Sequence, residues 1–159
     1  MFLNGPLWVS GRAFLFSALG FVCSPLPASA DGSYRALEYP GGDLQKNLHE
    51  DLRAHRDAYS HPRGWHLARP DANFDHRRVP NLMTWFERAG HAVPMSRAAA
   101  DYLPGDIVSW DPGGRILHIG IVSDRRSAAG VPLVLHNIGA RAREEDILFR
   151  YAIIGHYRL

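Results

Sequence analysis

Cysteine, lysine and segregated charge are nearly absent from this sequence. Cys23 is the only cysteine in 159 residues, which excludes a framework of intrachain disulfides. Lys46 is the only lysine, and acidic residues alternate with arginines along the chain. The formal net charge of +2 is close to neutral, so no nucleic-acid partner is predicted.

The N-terminal apolar stretch is too short to span a bilayer comfortably. It covers residues 13–23 and follows Arg12, the only charged residue before Asp31. Two prolines and the small residues Ala28-Ser29-Ala30 come next, an order typical of an export signal. We therefore predict a signal peptide at 1–30 and an exported, periplasmic chain at 31–159 without stable membrane insertion. The alternatives are a membrane-retained segment and a misassigned N-terminus.

The middle of the chain has helical periodicity, and its length suits one domain with a moderate core. Asp43 is a suitable N-cap for a helix over Leu44–Tyr59, whose leucines recur every four residues. A second helix is predicted from Pro80 to Ala89, with Gly90 as its stop.

From Asp106 onward the period changes to that of β-strands. The predicted strands are Asp106–Trp110, Ile116–Ser123, Leu133–Ile138 and one within Tyr151–Arg158, with a short helical or turn segment around Glu144–Phe149 before the last. Helices followed by consecutive hairpins predict an α+β fold, in which N-terminal helices pack on a C-terminal antiparallel sheet.

Two histidines occupy neighbouring predicted strands. If Ser123 pairs with Val131 across a loop at Asp124–Gly130, His118 lies directly opposite His136. Imidazoles so placed can share a hydrogen bond, in which one ring fixes the tautomer of the other. That arrangement is the base and the orienting residue of a nucleophilic triad. The alternative is two independent, half-buried histidines, because a one-residue slip would separate them onto opposite faces.

Several motifs resemble one superfamily. They are Pro104–Trp110 (PGDIVSW), His118–Val122 (HIGIV), Leu135-His136-Asn137, Asp43–Asp51, Arg69–Leu82 and Ile154–Arg158. Together they resemble the NlpC-like, papain-fold cell-wall peptidases and amidases, and more closely an uncharacterised bacterial family of unknown function within that superfamily.

The resemblance covers about Asp43 to Leu159 and implies a papain-like, NlpC-type fold. It implies that His118 is the catalytic base and that His136 orients it. Asp106 matches the acidic residue that begins the first strand, whose role is more often structural than catalytic. The implied substrates are amide bonds of peptidoglycan peptides, and this chemistry needs no cofactor.

The nucleophile departs from the pattern that the resemblance implies. That pattern has a cysteine at the start of a helix packed against the sheet, and the matching position here is Ser29. A hydroxyl is far less acidic than a thiol, and Cys23 is out of register by about two helical turns. Three explanations stay open: an inactive homologue with an incomplete N-terminal helix, a misread N-terminus, or a role for Cys23 in an altered arrangement.

Two arginines and an asparagine are the predicted substrate contacts, and two other functions compete with the peptidase. Arg77 and Arg78 can form a fork for a peptide carboxylate, with Asn137 as a further contact, although an internal polar network that shapes this loop is the alternative. A non-catalytic module that binds cell-wall peptides is the second function. The third is a zinc hydrolase using His118, His136, Asp106 or His156; no zinc motif is present, so no metal site is predicted.

Overall fold

The protein is described by a computed structural model that covers residues 38–39, 42–59, 69–114, 116–137 and 142–159. The predicted signal peptide, including Cys23 and Ser29, lies outside these residues. No helix in the described ranges combines the length and apolarity needed to cross a membrane.

Two α-helices in the described part of the chain confirm the helical predictions. Helix α1 spans Leu44–Ala54, and the Asp43 side chain accepts a hydrogen bond from the Lys46 backbone N–H at 3.1 Å. Helix α2 spans Val79–Arg88 and has its proline in the first turn, where a missing N–H costs nothing.

Helix α1 ends five residues before the predicted Tyr59. The chain tightens into a 3₁₀ turn at Arg56–Tyr59, which brings the Tyr59 ring into the core. The Tyr59 hydroxyl donates to Asp51 Oδ2 at 2.6 Å, and Arg88 of α2 contacts the same carboxylate. A contact with the second helix therefore sets this end, which helix periodicity cannot predict.

The described residues form seven β-strands. A short ribbon pairs β1 (Glu38–Tyr39) with β2 (Gly42–Asp43). The five-stranded antiparallel sheet has the order β6-β5-β4-β3-β7, with strands β3 Ile107–Asp111, β4 His118–Arg126, β5 Pro132–His136, β6 Arg143–Glu145 and β7 Ala152–Tyr157. The predicted α+β class with an antiparallel sheet is confirmed.

The two faces of the sheet contribute to different cores. On one face, Ile107, Ile121 and Leu135 pack with the apolar stripes of both helices. On the other face, Val108, Trp110, Val122 and Val134 pack with Tyr102, Ile147 and Leu148. We call these the helix face and the far face. Alternation along each strand decides which face a side chain joins.

The predicted register of the β4–β5 hairpin is wrong by two residues. His136 lies opposite Gly120, not His118. The strand continues through Asp124 to Arg126, where the ladder is irregular, and the turn tightens to Ser127–Val131. The prediction assigned Asp124–Arg126 to the loop because they are polar, but an exposed strand end accommodates polar residues. A shift of two residues leaves every side chain on its original face.

The segment around Glu144–Phe149 also differs from its prediction. Glu144 and Glu145 belong to strand β6, and only the residues after it form a bend and a turn. Glu144 extends to Arg125, with Nη1 at 2.7 Å from Oε2. Pairing with β5 therefore extends two acidic residues whose local preference does not favour a strand.

The far face is closely packed at Gly120. A Cβ atom there would lie 2.7 Å from Val134 Cγ1 and 3.0 Å from Trp110 Cη2. We expect Gly120→Ala to lower the free energy of unfolding by about 1–3 kcal/mol through overpacking. Val134→Ala removes the nearest obstacle, so the double variant should lose less than the sum of the two single variants in urea unfolding. Additive losses would contradict the close approach.

Candidate functional site

His118 and His136 share the far face at one end of the sheet. His118 pairs with Trp110 of β3, and His136 lies opposite Gly120, the next residue but one along β4. The two histidines are therefore diagonal neighbours, for which Cβ atoms lie about 7–8 Å apart. No hydrogen bond joins the two rings in this described part of the structure, and the direct pairing predicted from the sequence is replaced by a diagonal one.

His136 is buried, and its two ring nitrogens have different surroundings. Nε2 lies 2.9 Å from Glu145 Oε2 of strand β6, while Nδ1 is buried without a hydrogen-bond partner. Burial lowers the pKa of His136, and repulsion from His118 adds to this, although the hydrogen bond and charge of Glu145 act in the opposite direction. The net effect favours a neutral imidazole.

The floor of this site is an indole ring. Trp110 is fully buried, and its Nε1 donates to the carbonyl of Leu148 at 3.0 Å. The ring passes over Gly120, which has no side chain to displace it. His118 and His136 lie on either side of this glycine on the same face. Because the glycine has no Cβ atom, the Trp110 indole can occupy the space between the two histidines.

Asp106 lies at the other end of strand β3, away from the histidine pair. Its carboxylate is 1% exposed and is contacted by His156 Nε2 at 2.8 Å and by Arg158 Nε at 2.7 Å. The Leu103 backbone N–H donates to it at 2.8 Å. The structure therefore brings Asp106 together with the end of β7 and the preceding loop, and not with His118 and His136.

The lowered pKa of Asp106 fits a structural role, in which its charged carboxylate holds β3, β7 and the loop before β3 together. We call this carboxylate and its partners the Asp106 tether. Burial raises the pKa of this carboxyl, but the hydrogen bonds from Arg158, His156 and Leu103 outweigh burial and lower it overall. Tyr102 stacks on the His156 ring with centroids 4.3 Å apart. The network links β3, β7 and the loop before β3.

Arg77 and Arg78 lie on the helix side of the sheet. They sit in and after a 3₁₀ turn at Asp75–Arg77, which packs against both helices. Asp75 is fully buried and is contacted by His49 Nδ1 and the Asp71 N–H, both at 2.9 Å, as an internal network predicts. The guanidinium of Arg77 lies 5.5 Å from the centre of the Phe74 ring.

Of the remaining predicted residues, Asn137 is described and exposed, directly after His136. Cys23 and Ser29 lie outside the described residues. Glu145 was not predicted as a site residue, because the sequence placed it in a helical or turn segment. The only sequence signal for it is an acidic residue in the segment after the histidine strand.

The described residues contain no group of three or more His, Cys, Asp or Glu side chains that could hold a metal ion. Of the four zinc ligands considered, His136 on β5 and His156 on β7 are separated by strands β4 and β3, and Asp106 contacts His156 instead of the histidine pair.

The tether at Asp106 predicts a large loss of stability on neutralisation. Asp106→Asn removes the charge from the buried acceptor of Arg158 and His156 and should lower the free energy of unfolding by about 1.5–3 kcal/mol, the range for hydrogen bonds to a charged group. Asp57→Asn, at an exposed carboxylate, is the matched control and should change it by less than about 0.5 kcal/mol. Equal effects in urea unfolding would show that Asp106 is not a tether.

The lowered pKa of buried His136 predicts that the free energy of unfolding depends on pH. Its pKa in the folded state is lowered below the ordinary histidine value of about 6.5, so the unfolded state binds the proton more readily. This contribution is present above about pH 6.5 and is lost as the pH falls towards the lowered folded pKa. His136→Gln should therefore reduce the loss of stability between about pH 7.5 and 5.5 in urea unfolding. An unchanged slope, or the same reduction in exposed His55→Gln, would contradict this origin.

The comparisons with known proteins agree on a family. The model of a family described as "Domain of unknown function (DUF1287)" matches residues 22–159. The chain is similar to "Uncharacterized protein YijF" of Escherichia coli (strain K12), with 51% identity over 129 residues, or 81% of this chain and 62% of YijF. It thus spans less than two thirds of that relative. No solved structure matches it significantly. On the family match, which covers most of its length, the chain belongs to the DUF1287 family.

Proposed function

We propose that this chain is an exported relative of the NlpC-like cysteine peptidases and amidases, with a papain-like fold, and that it acts on amide bonds of peptidoglycan peptides. The observation that carries the proposal is the placement of His118 and His136 on one face of adjacent strands. A base and its orienting residue must share a face, and the two-residue register change keeps both histidines on the same face as diagonal neighbours.

In the proposed reaction, a cysteine thiolate attacks the carbonyl carbon of the amide. His118 takes the thiol proton and returns it to the departing amine, leaving an acyl-enzyme thioester. A water molecule then gives its proton to His118 and attacks the thioester, which releases the acid and restores the thiol. His136 holds the His118 ring and stabilises its imidazolium form.

The thiol must approach the far face, since His118 lies there and helices α1 and α2 pack on the other face. Cys23 is the only thiol that the sequence offers. Cys23 and Ser29 both lie in the predicted signal peptide, so either can act only in a chain that keeps residues 1–30. Of the two, Cys23 is the nucleophile to be tested first, because a serine hydroxyl needs a stronger base than a thiol does.

One observation favours a second candidate, a module that binds peptidoglycan peptides without turnover. The sequence has no cysteine between residues 38 and 159, which include every described residue. A chain that keeps the histidine pair without a thiol at the site would retain a cleft but not the chemistry.

The decisive experiment measures hydrolysis of purified muropeptides by the full chain. We expect hydrolysis that iodoacetamide and Cys23→Ser abolish, and that His118→Ala and His118→Gln lower by about 10²–10⁴-fold, the range of a general base. His55→Ala, at an exposed histidine directly after α1, should retain the wild-type rate. Two substitutions at His118 and a urea unfolding curve for each separate lost chemistry from lost folding.

The outcomes divide the candidates. Hydrolysis that survives both Cys23→Ser and iodoacetamide would contradict the cysteine mechanism, and its loss on chelation would point to a zinc hydrolase. Saturable muropeptide binding without turnover would favour the binding module. Neither binding nor hydrolysis would overturn the assignment to peptidoglycan.

A further inference from the structure

We propose that Glu145 is a positioning residue of the histidine pair: it holds His136 in the tautomer whose Nδ1 can accept an N–H from His118. The inference rests on the proposed function, in which His118 carries the proton. Nothing in the sequence patterns assigned a role to Glu145.

The first step is the tautomer of His136. A carboxylate accepts hydrogen bonds and has no proton to donate, so the 2.9 Å contact between Glu145 Oε2 and His136 Nε2 requires a proton on Nε2. Burial favours the neutral ring, which has one N–H only. Nδ1 is therefore a bare acceptor.

The second step concerns what Nδ1 accepts. It is buried and has no partner, which is costly unless a donor arrives during function. Among the residues that the structure describes, the charged or titratable side chains that act on His136 are Glu145, Arg143 and His118. Glu145 is engaged at Nε2, and Arg143 lies beside the other carboxylate oxygen, 3.5 Å from Glu145 Oε1. His118 is the remaining donor, on the same face and one diagonal away.

The third step is the effect of the His136 tautomer on His118 as the general base. The neutral His118 ring can donate its one N–H to Nδ1 of His136, which leaves its other nitrogen free to take the thiol proton. The cation so formed keeps that hydrogen bond and strengthens it through its charge. Without Glu145, the His136 proton could move to Nδ1 and present a donor to that cation instead of an acceptor. Glu145 thus favours the His136 tautomer that stabilises protonated His118 over the tautomer that repels it.

The geometry also suits a fixed carboxylate. The Glu145 side chain is 40% exposed, whereas that of His136 is 2% exposed, so the pair leads from solvent to the buried ring. Arg143 on the same strand and face supplies a positive charge on the solvent side. The neighbouring Glu144 points to the helix face, where it bonds Arg125.

Histidine ¹⁵N NMR on the full chain tests the proposal without any need for turnover. In the wild type we expect one His136 tautomer with its proton on Nε2. Across a pH series we also expect a ¹⁵N–¹⁵N coupling through a hydrogen bond between His118 and His136 Nδ1. In Glu145→Gln the neutral amide is a weaker acceptor and can also donate to Nε2, so the coupling should weaken and Nδ1–H should become populated. The matched control Glu144→Gln should keep both wild-type signals.

Kinetics supply the second readout. If the chain hydrolyses muropeptides, Glu145→Gln should lower kcat by about ten- to hundred-fold with little change in KM, the cost of one charge-assisted hydrogen bond at the transition state. A residue that only stabilises the fold would alter the unfolding curve and leave kcat of the folded fraction unchanged.

The outcomes separate this inference from the proposed function. Expected NMR signals in a chain without hydrolysis would support the positioning role and count against the peptidase. Hydrolysis with a full rate in Glu145→Gln, or a wild-type His136 protonated on Nδ1, would overturn the positioning role and leave the peptidase standing. The wild-type tautomer decides the first step even if Glu145→Gln does not fold.

Discussion

The rest of the structure depends on a buried carboxylate, that of Asp106. Removing a charge from water is costly, and here a guanidinium, an imidazole and a backbone N–H offset that cost. Their positions tie the start of β3 to the end of β7, which are far apart in sequence. Since β3 lies between β4 and β7, these contacts of Asp106 fix where β3 begins and therefore where Trp110, near its other end, supports the histidine pair.

Local patterns predicted the elements but not how they meet. The start of α1 follows from Asp43 and the leucine spacing, both of which act within one or two helical turns. Its end follows from Asp51, which contacts Tyr59 and Arg88, and the second of these belongs to another helix. Likewise, β-branched residues predicted β4 and β5, whereas β6 consists of charged residues that only its neighbour strand makes extended.

The candidate site shows the same division. The sequence indicated that His118 and His136 share a face, because a period of two survives an error of two residues in register. It did not indicate that a diagonal separates them, since that depends on the irregular ladder between Val122 and Arg126. Glu145 was missed for a related reason: its partner is nine residues away and is reached only through strand pairing. Cys23 and Ser29 stay predictions, because both lie outside the described residues.

Two histidine–carboxylate pairs in one sheet differ in a way that indicates their roles. His156 has a partner for each ring nitrogen, Asp106 for Nε2 and the Pro94 carbonyl for Nδ1 at 3.1 Å. Such a ring is fully occupied and has nothing left to offer a substrate or another residue. His136 is as deeply buried, yet only Nε2 has a partner. A buried acceptor without a donor is costly, and Nδ1 is the atom at which the proposed N–H of His118 would bind. The proposed positioning role requires this difference between the two histidines, because a ring with both nitrogens engaged could not accept a hydrogen bond from His118.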